Sequence, residues 1–148
     1  MKNALLILIL GISYTYGFSQ VDKDVPQLVK ERFATLYPDT KVTAWEMEDE
    51  GYEASFKVND VETSVVMSVE GKVVLTEVEI KPESLPRPAF DFVETQLRGL
   101  KITSASKIVT VEGIVTYEAE VGNDDYLFDS DGQFISHEEE EDDDEEDD

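Results

Sequence analysis

The residues of this sequence best suited to chemistry are carboxylates at a spacing typical of calcium loops. Residues 127–138 place Asp129, Asp131 and Glu138 at the third, fifth and twelfth positions of an EF-hand loop. The first position is Leu127, whose side chain has no oxygen ligand, and the flanking residues are typical of strands rather than helices. A turn between two strands explains the same residues without a metal. Calcium binding by Asp129, Asp131 and Glu138 is therefore kept only as an alternative.

Two pairs of carboxylates have a spacing that could serve acid–base catalysis. Glu46 and Glu48 are two residues apart, as are Glu118 and Glu120, so each pair shares one face of a strand. A solvated outward face is the simpler explanation of both pairs. His137 is the single histidine and there is no cysteine, which excludes a two-histidine metal site, a thiolate nucleophile and disulfides. The sequence therefore predicts no enzyme activity.

The acidic residues are concentrated at one end of the sequence. The chain has 35 acidic and 12 basic residues, a formal net charge of −23, and residues 138–148 are all acidic. Like charges repel and such a run buries no apolar surface, so residues 138–148 are predicted to form a disordered, solvating tail. Calcium buffering by the tail and docking of a basic partner are alternatives, because carboxylates suit hard cations. The net charge argues against binding to nucleic acid or to anionic membranes.

The first residues have the composition of an export signal. Lys2 precedes an apolar run over residues 4–12, and small residues follow at Gly17 and Ser19. The run is shorter than the roughly 20 residues of a spanning helix, so no membrane insertion is expected after cleavage. Residues 1–19 are therefore predicted to be a signal peptide, with a buried core helix as the alternative, and the protein is predicted to be periplasmic or secreted.

The elements that position the carboxylates follow in the same order twice. A first helix is expected with Asp24 as its cap, Pro26 in its first turn and a stop at Tyr37-Pro38. Beyond a proline-rich break over residues 81–88, a second helix is expected, opened by prolines and capped by Gly99. Period-two alternation and turn residues predict four strands after each helix: residues 41–47, 52–58, 61–69 and 72–80, then 101–111, 114–121, 125–129 and 133–137.

A repeated pattern supports this organisation. The segment Y-E-A-S-F-K-V from Tyr52 returns as Y-E-A-E-V from Tyr117, and Gly132 corresponds to Gly71. The predicted fold is α+β, with two tandem helix-plus-antiparallel-meander repeats forming a two-layer sheet with helices packed on one face. The repeats cover about residues 24–80 and 85–137 of one domain, 20–137. One-sided alternation predicts that the other face is open and solvated.

This pattern resembles the PepSY-like proteins, which are also described as similar to β-lactamase-inhibitor proteins and are exported by Bacteroidetes bacteria. Y-E-A-S-F, V-M-S-V-E-G-K and their altered return after the proline-rich joint carry the resemblance, which covers about residues 25–135. The resemblance implies a tandem α+β fold with an open sheet face. It also implies a periplasmic or extracellular binding or inhibitory role, without catalytic residues to carry over.

The leading hypothesis is an exported, non-enzymatic module that binds an envelope or extracellular protein through the open sheet face, with inhibition as one form of that binding. The candidate binding residues are strand positions expected to point outward: Trp45, Glu53, Ser55, Lys57, Glu118 and Glu120. Tryptophan is enriched in binding hot spots, but the strand of Trp45 is apolar on both faces, so burial under a helix is an open alternative. The alternative functions are a periplasmic calcium-binding or buffering protein using the acidic tail, and a scaffold with no specific ligand. No other cofactor is predicted.

Overall fold

The computed structural model describes residues 21–48, 51–98 and 100–139. The first half contains α1 (Val21–Asp24), α2 (Gln27–Leu36), β1 (Val42–Glu48), β2 (Gly51–Val58), β3 (Val61–Met67) and β4 (Val73–Glu79). The second half contains a 3-10 turn (Pro82–Ser84), α3 (Arg87–Gln96), β5 (Ile102–Thr110), β6 (Val115–Val121), β7 (Asp124–Asp129) and β8 (Phe134–Glu139).

The eight strands form one antiparallel sheet in chain order, from β1 to β8. Seven connections place neighbours in the chain next to each other in the sheet, and the pairing of β4 with β5 joins the two halves. The α+β class is therefore confirmed. The ends of the eight predicted strands differ from the observed ends by no more than two residues, because alternation and turn residues are local signals.

The first helix is shorter than predicted. Pro26 has φ −55° and ψ 139°, which is not helical, so it precedes α2 instead of lying in its first turn. Asp24 accordingly ends α1 and does not cap α2, which is a correction to the predicted cap. The predicted stop is confirmed, because the backbone N–H of Tyr37 donates to the carbonyl of Phe33 at 2.8 Å and the helix continues no further.

The helices pack on one face of the sheet and create two apolar cores. Core one lies between α2 and strands β1–β3. There the ring of Phe33 meets the rings of Trp45 and Phe56 edge-on, with centroid separations of 5.7 and 5.2 Å. Core two lies between α3 and strands β5–β7. The ring of Phe92 meets that of Phe128 edge-on with a centroid separation of 5.6 Å, and it stacks on Phe134 of β8 at 4.9 Å between centroids. Each half of the sheet therefore has its own helix and its own core.

Several predicted features lie partly or wholly outside the described residues. The signal peptide at 1–19, the Gly99 cap and residues 140–148 of the acidic tail lie outside the described residues. Glu138 and Glu139 belong to β8, so this strand includes the first two residues of the run assigned to the tail. Within the described ranges, no helix has the length and apolar character needed to cross a membrane.

Candidate functional site

The sheet face opposite the helices carries a line of buried carboxylates. Glu53 lies on β2, Glu77 on β4, Glu118 on β6 and Asp125 on β7, with exposed fractions of 8, 5, 7 and 8%. We call these four residues the carboxylate row. Charged side chains are almost never this buried unless they are paired, so the row is the most unusual feature of the described chain.

Strand alternation explains why the row faces away from the helices. Ala54 belongs to core one, so its neighbour Glu53 points to the opposite face. Cross-strand pairs then carry that face across the sheet, because residues directly opposite each other point the same way. Such pairs join Ser64 to Glu77 and Ser106 to Glu118.

The same face also carries apolar and hydroxyl side chains. Leu75, Ile108 and Leu127 form a small apolar cluster separate from the two cores. Thr116 is the cross-strand partner of Ile108, which places its hydroxyl beside this cluster. The row is therefore set among apolar groups that exclude water.

Glu53 and Glu118 take the outward face, as predicted, but the prediction that this face is solvated is wrong for both residues. The described helices pack on the other face, so these side chains are shielded by their neighbours on adjacent strands. Directly opposite Cβ atoms lie roughly 4.5–5.5 Å apart, and every member of the row is flanked by a strand on both sides. Alternation along one strand reports which face a residue takes, but it does not report how deeply neighbouring strands bury it.

Burial changes the acidity of the row. Burial raises the pKa of Glu77 to about 7, the nearby carboxylates Glu53 and Asp125 act in the same direction, and Ser106 acts against them. Burial likewise raises the pKa of Glu118 well above its usual range, and the charged neighbours that add to this rise are all acidic. Burial also raises the pKa of Glu53, with Ser64 opposing the change. The row therefore gathers like charges that favour protonation.

Some polar atoms on this face lack hydrogen bonds. Within the described chain, the Oε2 atom of Glu118, the Oγ1 atom of Thr116 and the Oγ atom of Ser106 are buried without a hydrogen-bond partner. Ser106 lies near enough to Glu77 to lower the pKa of that carboxyl, yet its hydroxyl makes no well-aligned hydrogen bond. A buried polar group left unsatisfied costs about 1–3 kcal/mol, so this face is energetically incomplete by itself.

Trp45 does not contribute to this face. It is 7% exposed, belongs to core one and packs edge-on against Phe33. The outward orientation is therefore wrong, and the alternative of burial under the helix is the observed one. A register shift between Val42 and Ala44 places both Val42 and Trp45 on the helix side, which regular alternation does not allow.

The other predicted binding residues border the row. Ser55 is half-buried on β2, two residues from Glu53 and therefore on the same face. Lys57 is exposed near the end of that strand and forms an ion pair with Glu62. Glu120 is half-buried and lies directly opposite Asp125.

The three predicted calcium ligands do not meet in one site. The Oδ1 atom of Asp129 accepts the backbone N–H groups of Asp131 and Gln133 at 2.9 and 2.8 Å, which closes the turn between β7 and β8. Glu138 lies opposite Asp125, towards the other end of β8. The carboxylate of Asp129 therefore organises a strand turn, and Glu138 is several residues of strand away from it.

Glu77 and Asp125 were not predicted as site residues, and neither was the convergence of three carboxylates that the sequence had suggested separately. Glu46, Glu48 and Glu53 each offer a ligand oxygen, and these oxygens all lie within 4.8 Å of one another, a separation suited to a metal ion. Burial raises the pKa of Glu46. A usable signal was the pairing of serines with acidic residues on strands that the hairpins make adjacent, as for Ser64 and Glu77.

No family model matches the chain, and no curated protein matches it. Solved structures do. The chain shares its fold with proteins from Bacteroides. A Bacteroides eggerthii protein, provisionally described as periplasmic, has a TM-score of 0.66 and 19% identity, over 77% of this chain and 88% of that one. A DUF2874 family protein from Bacteroides uniformis has a TM-score of 0.65 and 19% identity, over 76% and 88%.

A third solved structure is a BLIP-like protein from Bacteroides fragilis. Its TM-score is 0.59 at 17% identity, over 81% of this chain and 89% of that one. At identities this low, the TM-scores establish a shared fold, and a fold by itself does not establish a function.

Proposed function

We propose that this chain is an exported, non-enzymatic module that binds another protein through the sheet face opposite the helices. The observation that carries the proposal is the incomplete polar face, where Glu118, Thr116 and Ser106 have buried atoms without hydrogen bonds. A partner that supplies donors to these atoms would recover part of their desolvation cost. Inhibition of the bound protein is one form that this binding can take.

The fold comparisons support an exported location and a binding role. The Bacteroides eggerthii neighbour is described as periplasmic and the Bacteroides fragilis neighbour as BLIP-like. Together with the predicted signal peptide at residues 1–19, they favour action in the periplasm or outside the cell.

We also propose that the two halves are tandem repeats of the PepSY-like kind. Three correspondences between the halves support this. Both main helices follow a proline of nearly identical geometry, Pro26 at φ −55°, ψ 139° and Pro86 at φ −52°, ψ 138°. Register shifts occur at equivalent places, between Val42 and Ala44 and between Ile102 and Ser104.

The third correspondence is a close contact between the last turn of each half and its helix. A Cβ atom on Gly71 would lie 2.7 Å from Cγ of Arg32, a residue of α2. A Cβ atom on Gly132 would lie 2.8 Å from Cβ of Pro86, the residue that precedes α3. Both glycines thus let a turn approach the helix of its own half.

Site-specific photo-crosslinking tests the binding proposal. A crosslinking amino acid is placed at Ser55 or Glu120, which border the row, and at Thr35, which is exposed on α2 on the opposite side. In cells that export the protein, we expect the same protein adduct from the first two positions and none from Thr35. Equal labelling from all three positions, or none from Ser55 and Glu120, would contradict binding through this face.

Binding of a divalent cation is a second candidate function. The favouring observation is the convergence of Glu46, Glu48 and Glu53, because carboxylate oxygens are the ligands that calcium prefers. Calcium titration by calorimetry is compared for the full chain, the chain without residues 140–148, and Glu46→Gln. Loss of the heat only in Glu46→Gln supports the site, whereas loss only on truncation assigns calcium to the acidic tail.

A further inference from the structure

The carboxylate row has a chemistry that narrows the class of partner. The acids that act on Glu118 are Glu77, Asp125, Glu138 and Glu53, which belong to four other strands. Acidic groups are thus gathered across most of the width of the sheet. A cationic group that donates hydrogen bonds favours the ionised form of these carboxylates both by its charge and by its donors.

Buried polar atoms without hydrogen-bond partners on this face are positions to which a ligand can donate hydrogen bonds. The Oε2 atom of Glu118 and the hydroxyl of Thr116 are acceptors on the same face of β6, and both residues are more than nine-tenths buried. Ser106, opposite Glu118, adds a third acceptor atom. The arrangement calls for a ligand with several hydrogen-bond donors.

The spacing of the row disfavours a single metal ion. In the described ranges, the one group of three potential metal ligands within 4.8 Å consists of Glu46, Glu48 and Glu53, at the β1–β2 edge. Glu77, Glu118 and Asp125 do not form such a group, so their carboxylate oxygens do not all lie within 4.8 Å of one another. A ligand with separate positive groups fits this spacing better.

The surroundings of the row suit long basic side chains. Leu75, Ile108 and Leu127 lie on the same face and offer an apolar surface to aliphatic stems. Arginine combines such a stem with a planar head of five donors that fits carboxylates. Glu79, which is exposed, and Glu120, which is half-buried, border the row.

We infer that the carboxylate row is a binding site for a basic protein segment, whose arginine side chains lie over strands β4 to β7 and pair with Glu77 and Glu118. This inference rests on the proposed function and specifies its partner. Alternate residues of an extended segment point to the same side and are about 6.6 Å apart. Glu77 and Glu118 lie two strands apart, about 9.5 Å, and the long arginine side chain can span the difference. The hydroxyls of Thr116 and Ser106 then accept the remaining guanidinium donors.

The direct test is binding of a peptide in which arginine and alanine alternate, measured by calorimetry on the full chain. The matched probe replaces every arginine by citrulline, which keeps the shape and removes the charge. We expect the arginine peptide to bind and the citrulline peptide to bind at least roughly 10-fold more weakly, since the pairing is charge-assisted. Equal affinities for the two peptides would overturn the inference.

A pair of isosteric variants separates the row from the overall negative charge. Glu77→Gln with Glu118→Gln removes two carboxyl groups from the row, while Glu94→Gln with Glu112→Gln removes two from exposed positions on α3 and in the β5–β6 turn. Both doubles therefore lose the same number of ionisable groups. We expect the row variant to lose roughly 10-fold or more in affinity and the control less than about twofold, because buried pairs are screened less than exposed ones. Equal losses would overturn the inference.

A spectroscopic measurement on the unaltered chain keeps the test decisive if the row variant folds poorly. The side-chain carboxyl carbon signals of Glu77 and Glu118 should move on addition of the arginine peptide, and that of Glu112 should not. Unmoved signals from the row at saturation would place the peptide elsewhere. If the crosslinks at Ser55 and Glu120 capture a protein while the peptide ignores the row, only the basic-partner inference fails. If the peptide needs the row but nothing crosslinks, the proposed function fails instead.

Discussion

Glu77 illustrates how position, rather than residue type, gives a carboxylate unusual chemistry. It is buried on the fourth strand, and burial followed by like charges raises its pKa to about 7. Glu70 lies in the exposed turn before that strand, where hydrogen bonds from Ser68 and the backbone lower its pKa. The two residues are close in sequence and have opposite tendencies at neutral pH.

The substitution Glu77→Gln should stabilise the protein above neutral pH. The pKa of Glu77 is about 7 in the folded state against a reference value of 4.5, so folding favours the protonated form. The stability that protonated Glu77 contributes to the folded state is complete below the reference pKa and is lost as the pH rises through the folded pKa. Urea unfolding should show Glu77→Gln more stable than the original by about 3 kcal/mol near pH 8, with little difference near pH 4.

The exposed Glu112→Gln is the control for this substitution, because it makes the same side-chain replacement in a turn. Its free energy of unfolding should differ from the original by less than about 0.5 kcal/mol at both pH values. A gain by Glu77→Gln that is the same at low and high pH would contradict the ionisation argument.

At the scale of single elements, the strands could be predicted from the sequence but the direction of some side chains could not. Alternation over residues 52–58 and the turn at Asn59-Asp60 are local patterns, and β2 and β3 occur where these patterns predict them. In β1 the register shift near Ala44 breaks the period of two, so no count along the strand could orient Trp45.

The start of β2 depends on a glycine. A Cβ atom on Gly51 would lie 2.0 Å from the carbonyl oxygen of Met67, on the neighbouring strand. Gly51→Ala must therefore push β2 away from β3, and thermal or urea unfolding should show a loss of more than about 2 kcal/mol.

The control for this change is Gly113→Ala, in the β5–β6 turn. Gly113 has φ 82°, and a Cβ atom there would meet nothing within 4 Å. Only the cost of the backbone conformation remains, about 1 kcal/mol. Equal losses at Gly51 and Gly113 would show that the contact with Met67 is not the cause.

At the scale of the molecule, the pairing of β4 with β5 creates the candidate site. Glu53 and Glu77 belong to the first half, while Glu118 and Asp125 belong to the second. The row therefore exists only in the joined sheet, and Glu77 approaches Glu118 because of a contact between halves that no local pattern encodes. For this reason the sequence predicted the existence of a polar face but neither its burial nor its shared charge.

The shared sheet should also couple the unfolding of the two cores. Phe128 is fully buried in core two, and Phe128→Ala should cost about 3–5 kcal/mol. Trp45, the single tryptophan, reports on core one. In Phe128→Ala, the midpoint of unfolding in urea should shift to a lower urea concentration by Trp45 fluorescence and by circular dichroism alike. A fluorescence midpoint that stays unchanged would show that the halves unfold independently.

The order of the strands leaves β1 and β8 at the two margins of the sheet. A margin strand presents backbone donors and acceptors that can recruit another chain and begin aggregation. Here β1 carries Glu46 and Glu48, and β8 ends in Glu138 and Glu139, the start of the acidic run. A second copy approaching either margin meets charge of the same sign. We therefore expect the acidic residues of β1 and β8 to disfavour pairing of a second copy with either margin.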